Sequence, residues 1–583
     1  MQIIKEVIEQ VVGELGLPAV SPSAGSGLKF VVEHPKDESN GDWSSNVAMV
    51  LAKSQGKNPR EIAESIVGEI NKVTNLVEIV EKIEVAGAGF INFTLKPEYF
   101  MDRIGEVLEP GYGENTSGAG KTVIVEYSSP NIAKPFTVGH LRSTVIGDAV
   151  ANLLEMNGWR VLRDNHLGDW GTQFGKQIVA IKRWGDLDLI EKAENPVKEL
   201  VELYVRFHKE AEEDESLVDE ARAWFRKLED GDKEARELWS KCVEWSWKEF
   251  SRIYELLGVK HSDEFQNGRG LGEAFFEDKM GVVVEALEKK KILKEGERGA
   301  KLVFFPDDKY PPAMILKGDG ATLYHTRDLA TDKYRLDEYK PDLIINEVGA
   351  EQTMYFRQLY EIEQMLGWYD DAQRVHIAHG MIRFADGKMS TRRGNVIWLN
   401  EVLTEAIKRA GEMQKDPTSP TASLGASELA KMVGIGALKW NDLKGESKRE
   451  MVFDWDEILN MKGDSGPYVQ YTFARAMSVV RRVGVSASQK ISESVSQLSE
   501  EELSIARWLD RYPELVHEAG ERYAPHMVAG YVYELATRFN TFYNKHQIVG
   551  SDEEGERVEL TRAVASVIES GLGILGIEAP KEM

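Results

Sequence analysis

The chain holds a single cysteine, Cys242, among 583 residues. That count excludes a disulfide framework and a cysteine-based zinc site, and it fits a reducing compartment. No structural metal is expected. No apolar run reaches the ~20 residues that a membrane-crossing helix needs. The opening segment MQIIKEVIEQVVGELGL alternates charge with apolar residues and lacks the continuous apolar core of a secretion signal. A soluble cytoplasmic protein with no membrane partner is expected. Basic residues are scarce as well: 72 Lys and Arg face 97 Asp and Glu, a net charge of -25. The imbalance argues against nucleic-acid binding over the whole surface. A local basic track stays open to it, and its few phosphate contacts would make binding strongly salt-dependent.

What is present begins with length, which predicts about three or four domains. The apolar share is ample for sizeable cores. Residues 1–110 read as an α+β module, with helices over 3–15, 46–53 and 59–70 and strands over 30–33, 83–85 and 90–95. Residues 111–121, GYGENTSGAGK, form a Gly-rich linker that runs into Thr122 as Gly-Lys-Thr. A P-loop is rejected there, because Asn115 stands where its first glycine belongs and a strand follows where a helix is required.

The stretch TVIVEYSSPNIAKPFTVGHLRSTVIGDAV, residues 122–150, organises the rest. A β-branched run of strand length comes first, then a Pro-punctuated loop. Gly139 and His140 follow, and then Leu141, Val145, Ile146, Ala149 and Val150 recur at helical spacing. Strand, glycine-containing loop and helix build a nucleotide site, since helix-start N–H groups point at phosphate and glycine lets backbone come close. His140, at the helix start, can hydrogen-bond a phosphate in its neutral or its charged form.

Further apolar strands are predicted over 160–165, 301–305, 314–316, 343–348 and 375–378, with a helical, acid-rich insertion over about 186–300. Such strands alternating with helices predict a parallel sheet covered on both faces, with ligands beyond the strands' carboxyl ends. The nucleotide-binding body thus spans about 122–400, a connecting region 401–450, and a wholly helical region about 451–583. Within that last region Tyr468, Tyr471 or Thr472, and Arg475 fall on one helix face, a pairing suited to stacking on unpaired bases and to phosphate contact.

The Gly139-His140 ending resembles the first signature of the class I aminoacyl-tRNA synthetases, and the flanks VEYSSPNIAKPF and LRSTVIGD resemble the arginyl-tRNA synthetases. That family usually carries His-x-Gly-His; here Thr137 takes the first place. ADGKMSTRRGN, 385–395, resembles the second signature, with Thr391 in place of its second lysine. Arginyl enzymes often lack that lysine and carry one before the first signature, where Lys134 stands. The resemblance covers nearly the whole chain. It implies a multidomain α/β protein: a Rossmann-like parallel-sheet catalytic domain with a helical insertion, an N-terminal α+β module and a C-terminal helical anticodon-binding bundle. It implies ATP-dependent, Mg2+-assisted ligation of L-arginine to tRNA(Arg) through arginyl-adenylate, by a monomer.

Site residues follow residue by residue from the resemblance. His140, Lys134 and Lys388 are the catalytic set. Gly139, His140, Gly380, Met381, Lys388, Met389 and Ser390 contact ATP. Glu126, Asn131, Tyr324, Asp328 and Gln352 bind arginine; a carboxylate at 328 accepts a planar guanidinium in bidentate fashion. Asn92, Phe93, Tyr468, Arg475 and Met583 meet tRNA, with Phe93 stacking on an unpaired base. A strand residue facing a core is the competing reading of Phe93. A cysteinyl enzyme would want zinc, the branched-aliphatic enzymes large editing insertions, and a glutamyl or glutaminyl enzyme a basic pocket at Asp328. A non-catalytic tRNA-binding paralogue and a small nucleotidyltransferase remain as alternatives, separated by arginine-dependent pyrophosphate exchange and by tRNA dependence.

Overall fold

The computed structural model describes residues 2–22, 27–73, 76, 78–370, 373–384, 397–413, 426–483 and 498–583. The chain divides into two compact units. One comprises Met1–Tyr112, Val479–Arg511 and Thr537–Ser566. Its four-stranded antiparallel sheet runs Val32–Glu33, Trp43–Ser45, Phe90–Leu95, Val80–Ala86 in spatial order. Helices Val47–Gln55 and Pro59–Ile70 pack on it. Pro59 opens the second of these, and the Asn58 side chain accepts the Arg60 N–H at 2.9 Å, satisfying a donor the helix cannot. Asp42 is the polar anchor of this unit. Its carboxylate accepts the Leu95 N–H at 2.7 Å and pairs with the Arg507 guanidinium at 2.7 Å.

Phe93 lies on an inner strand of that sheet, fully buried. Asn92 is buried beside it and accepts the Ser44 hydroxyl at 2.7 Å. Neither side chain is presented to a base, which corrects the expectation of stacking at Phe93. Alternate strand residues face opposite sides, and on a strand paired along both edges the apolar one goes to the core.

The second unit comprises Gly113–Ser478, Tyr512–Ala536 and Val567–Met583. Its heart is a four-stranded parallel sheet in the spatial order Arg374–His379, Leu343–Gly349, Thr122–Glu126, Arg160–Asp164. Chain order reverses between Thr122–Glu126 and Leu343–Gly349, and that reversal opens a crevice at the strands' carboxyl ends. The insertion is helical: Leu187–Lys192, Pro196–Glu213, Ser216–Glu229, Lys233–Leu257 and Met280–Lys289. Beyond it, Leu293–Glu295, Lys301–Val303 and Ala313–Leu316 form an antiparallel sheet.

Residues 451–453, expected to be helical, instead form the strand Met451–Phe453, parallel to Ile382–Phe384. Met451 and Phe453 are buried and Val452 is exposed, the two-residue alternation of a strand with one covered face.

Candidate active site

A cleft of about 1040 Å3 lies at the carboxyl edge of the parallel sheet. Glu126, Asn131, Lys134, Gly139, His140, Tyr324, Asp328, Gln352, Gly380 and Met381 all line it. The expected ATP and arginine residues are thus brought to one cavity, except Lys388, Met389 and Ser390, which lie outside the described residues. The flanks of their segment, Phe384 and Ile397, both line the cleft.

The loop after Thr122–Glu126 is held from several sides. Ser128, with φ of 56°, places its hydroxyl 2.6 Å from that of Thr144 and 3.0 Å from that of Tyr254. Ile132 donates its N–H to the Gly168 carbonyl at 3.1 Å, and Ala133 donates to the Ser246 hydroxyl at 2.9 Å. A Cβ on Gly168 would meet the Asn131 amide oxygen at 2.5 Å, so glycine there lets Asn131 reach the cleft. Phe136 is buried against Phe250 and Tyr254, with ring centroids 5.1 and 5.7 Å away. These anchors leave Lys134 half-buried at the cleft wall. Burial lowers the Lys134 pKa, opposed by Glu273 and assisted by Lys176.

His140 opens the helix Gly139–Met156. Its Nδ1 accepts the Thr137 backbone N–H at 3.0 Å, and the Thr137 hydroxyl oxygen is also 3.0 Å away. The accepted N–H makes Nδ1 the unprotonated nitrogen and Nε2 the donor. Burial pulls the imidazole pKa down to about 4, so near neutrality His140 is an uncharged donor. The backbone N–H of residue 137 therefore sets the tautomer of His140, and the threonine hydroxyl adds a second polar contact to the same nitrogen.

Arg142, two residues further on the same helix, is almost fully buried. It donates to the Gly380 carbonyl at 2.7 Å and the Arg449 carbonyl at 2.8 Å, and pairs with Asp442 at 2.9 Å. That clamp fixes the strand end where Gly380 and Met381 stand. Val138 donates to the Ile397 carbonyl at 3.1 Å and Leu399 to the Phe136 carbonyl at 2.9 Å, which ties the first signature to the chain just past 385–396. Beside Gly380, His379 donates Nδ1–H to Glu347 at 2.8 Å. Burial works against its charge, but the Glu347 hydrogen bond and charge outweigh burial and raise its pKa.

Opposite lies a carboxylate-rich wall. Tyr324 and Asp328 share a face of the helix Tyr324–Glu338, with Tyr324 67% exposed at the rim. The Tyr355 hydroxyl donates to Asp328 Oδ2. Burial raises the Asp328 pKa, against the opposing pull of His166 and Tyr355. Beneath it, Arg335 pairs with Glu126 at 2.5 Å, Asp164 at 2.7 Å and Asp332 at 3.0 Å. Arg374 pairs with Asp332 at 2.5 Å and Glu363 at 2.8 Å. Burial pushes the Glu126 carboxyl up, but the Arg335 guanidinium and His166 overcome it and hold the pKa below the ordinary value. Glu273 adds another carboxylate to the wall, 3.0 Å from Arg327. Glu126, paired with Arg335, and Asp328, hydrogen-bonded by Tyr355, thus line the cleft as acceptors for a cationic ligand.

His166, Glu273, Tyr355, Arg335 and Arg142 are absent from the sequence-derived set. His166 and Tyr355 lie inside HLGDWGTQFG and VGAEQTMYF, the latter also holding Gln352, and Arg142 lies within the stretch 122–150. Of the tRNA candidates in this unit, Tyr468 is half-buried with its ring 5.6 Å from that of Tyr533, and the Arg475 guanidinium lies 4.8 Å over the Tyr471 ring. Met583 packs on Ala410, Leu429 and Val433.

A parallel sheet with this reversal, a glycine-histidine helix start and a cleft at the strand ends define a class I aminoacyl-tRNA synthetase. The family model described as tRNA synthetases class I (R), catalytic domain, matches residues 105–455. Models of the arginyl tRNA synthetase N terminal domain and the DALR anticodon binding domain match 2–95 and 469–583. An arginine–tRNA ligase of Clostridium perfringens is 41% identical, covering 95% of this chain and 96% of its own. One from Latilactobacillus sakei is also 41% identical, with both chains wholly covered. The solved Thermus thermophilus arginyl-tRNA synthetase superposes with a TM-score of 0.81 at 26% identity, covering all of both chains. The chain belongs to the arginyl-tRNA synthetase family.

Proposed function

We propose that the chain ligates L-arginine to tRNA(Arg) with ATP, by way of arginyl-adenylate. The arginine carboxylate attacks the α-phosphorus in line; a new P–O bond forms and the bond to pyrophosphate breaks. The terminal adenosine hydroxyl of tRNA then takes the arginyl group and AMP leaves. The observation that carries this reading is Asp328: its carboxylate faces the same cleft as Glu126 and His140.

Asp328 and Tyr324 grip the guanidinium, with Glu273 as a further anion. Glu126, Asn131 and Gln352 hold the ammonium and backbone groups. A site with such buried acceptors rejects amino acids lacking the guanidinium, because its polar groups would be left unpaired. His140 donates Nε2–H to a phosphate oxygen, and Lys134 and Lys388 offset phosphate charge. Gly139, Gly380, Met381, Met389 and Ser390 complete the ATP contacts. Mg2+ enters with ATP as part of the substrate. No protein group becomes a covalent nucleophile, so rate comes from positioning and charge stabilisation.

The module 1–110, joined by linker 111–121, and the mainly helical region 451–583 with Tyr468 and Arg475 hold tRNA. The body 122–400 and connector 401–450 carry catalysis. Met583 supports the tRNA face by packing rather than by reaching out. The protein acts as a monomer in the cytoplasm. ATP–pyrophosphate exchange with arginine, run with and without tRNA, tests this. Arginine-dependent exchange is expected; none under either condition, with tRNA still bound, would fit a non-catalytic paralogue.

A further inference from the structure

His166 follows the strand Arg160–Asp164 and reaches the cleft wall between Glu126 and Asp328. Its Nδ1 lies 2.9 Å from the Leu271 carbonyl oxygen. A carbonyl only accepts, so Nδ1 keeps its hydrogen in every protonation state. All variation therefore falls on Nε2. That atom is buried and has no hydrogen-bond partner among the described residues. It stands 3.8 Å from Asp328 Oδ1, beyond hydrogen-bond length.

We propose that His166 is a substrate-contacting residue of the arginine site: neutral Nε2 accepts a hydrogen bond from bound arginine, and the proton it carries in the empty cleft leaves to solvent as arginine enters. The inference rests on the cleft taking arginine.

The charges around the ring dictate this exchange. Glu126 faces it from the first strand, Asp328, Asp332 and Arg335 from the helix Tyr324–Glu338, Glu273 from the neighbouring short helix, and Asp169 from its own loop. Burial opposes an imidazolium, but Glu126 and Asp328 outweigh burial, so the His166 pKa rises above the ordinary 6.5. Below its midpoint the imidazolium of the empty site supplies positive charge to those two carboxylates. Arginine brings its own cations to the same carboxylates. A protonated Nε2 would then set donor against donor, whereas the deprotonated ring offers a lone pair to an N–H of the substrate.

Two-bond proton–nitrogen NMR of histidine-labelled enzyme reads Nε2 directly, with the His166 signals assigned by their loss in H166Q or H166N. The empty enzyme should titrate above 6.5, and saturating arginine should shift the ring to its neutral Nδ1–H tautomer. Arginine affinity, measured in parallel, should fall about tenfold per pH unit below the empty-site midpoint, the consequence of one released proton. H166Q, whose amide oxygen accepts at any pH, should flatten that slope. A midpoint unmoved by arginine, or an unchanged slope in H166Q, overturns the proposal. Failure of the wild-type enzyme to bind arginine at any pH overturns the functional reading instead.

Discussion

The two ends of the cleft are built differently. At the arginine end, charge is abundant and held from behind: Arg335 alone pairs with Glu126, Asp164 and Asp332. At the phosphate end, the charges beside Gly380 are already paired, Arg142 with Asp442 and His379 with Glu347, and the directed donors are a neutral His140, held by the Thr137 backbone N–H, and a half-buried Lys134. A buried, braced anion cannot relax toward an ill-fitting ligand, and leaving it unpaired is costly. Discrimination therefore belongs to the first end. Phosphate charge changes during the reaction, and a few directed donors suffice to follow it.

The comparison breaks most sharply at Asp328. Asp328→Ala removes one partner of a buried charged contact, so kcat/KM for arginine should fall by about 10³, from a loss of about 4 kcal/mol. The KM for ATP should hardly move. Comparable losses for both substrates in steady-state kinetics would erase the division of labour. Lys134→Ala attacks the other end. Adenylate formation should slow by about 10²-fold, as for loss of one electrostatic donor, with arginine affinity kept. Near-normal pyrophosphate exchange would remove Lys134 from the mechanism.

A smaller effect tests the neutrality of His140. Its pKa in the fold, about 4, lies below the ordinary 6.5. Between those values the unfolded chain binds a proton that the folded chain does not. The stability tied to neutral His140 is therefore complete above pH 6.5 and is lost as pH falls toward 4, at about 1 kcal/mol per pH unit. Urea midpoints of wild type and His140→Asn across that window should converge toward acid; parallel curves would contradict a neutral ring. The smallest effect is expected far from either end. Arg475→Ala should raise the KM for tRNA a few-fold and reduce the salt dependence of tRNA binding by about one phosphate contact. An unchanged salt slope would take Arg475 off the tRNA face.

Local patterns carried much of this in the sequence. The strand over 90–95 is observed as Phe90–Leu95, the helix from Pro59 ends at Ile70 as expected, and the run before the Gly-His loop is the strand Thr122–Glu126. The cleft residues were legible because short motifs carry them. What brace those residues need was not. Arg335 joins carboxylates from positions 126, 164 and 332, and no spacing announces a convergence across that much chain. His166 sits in a segment readable as a glycine-punctuated turn, which gives no direction to its ring. Phe93 was open to two readings because a strand residue's face depends on its neighbours in the sheet.

Charging of unfractionated tRNA with each labelled amino acid in turn tests the central claim most directly. Arginine alone should be esterified to tRNA. Transfer of any uncharged or acidic amino acid at a comparable rate would contradict a pocket whose selectivity resides in the carboxylate of Asp328.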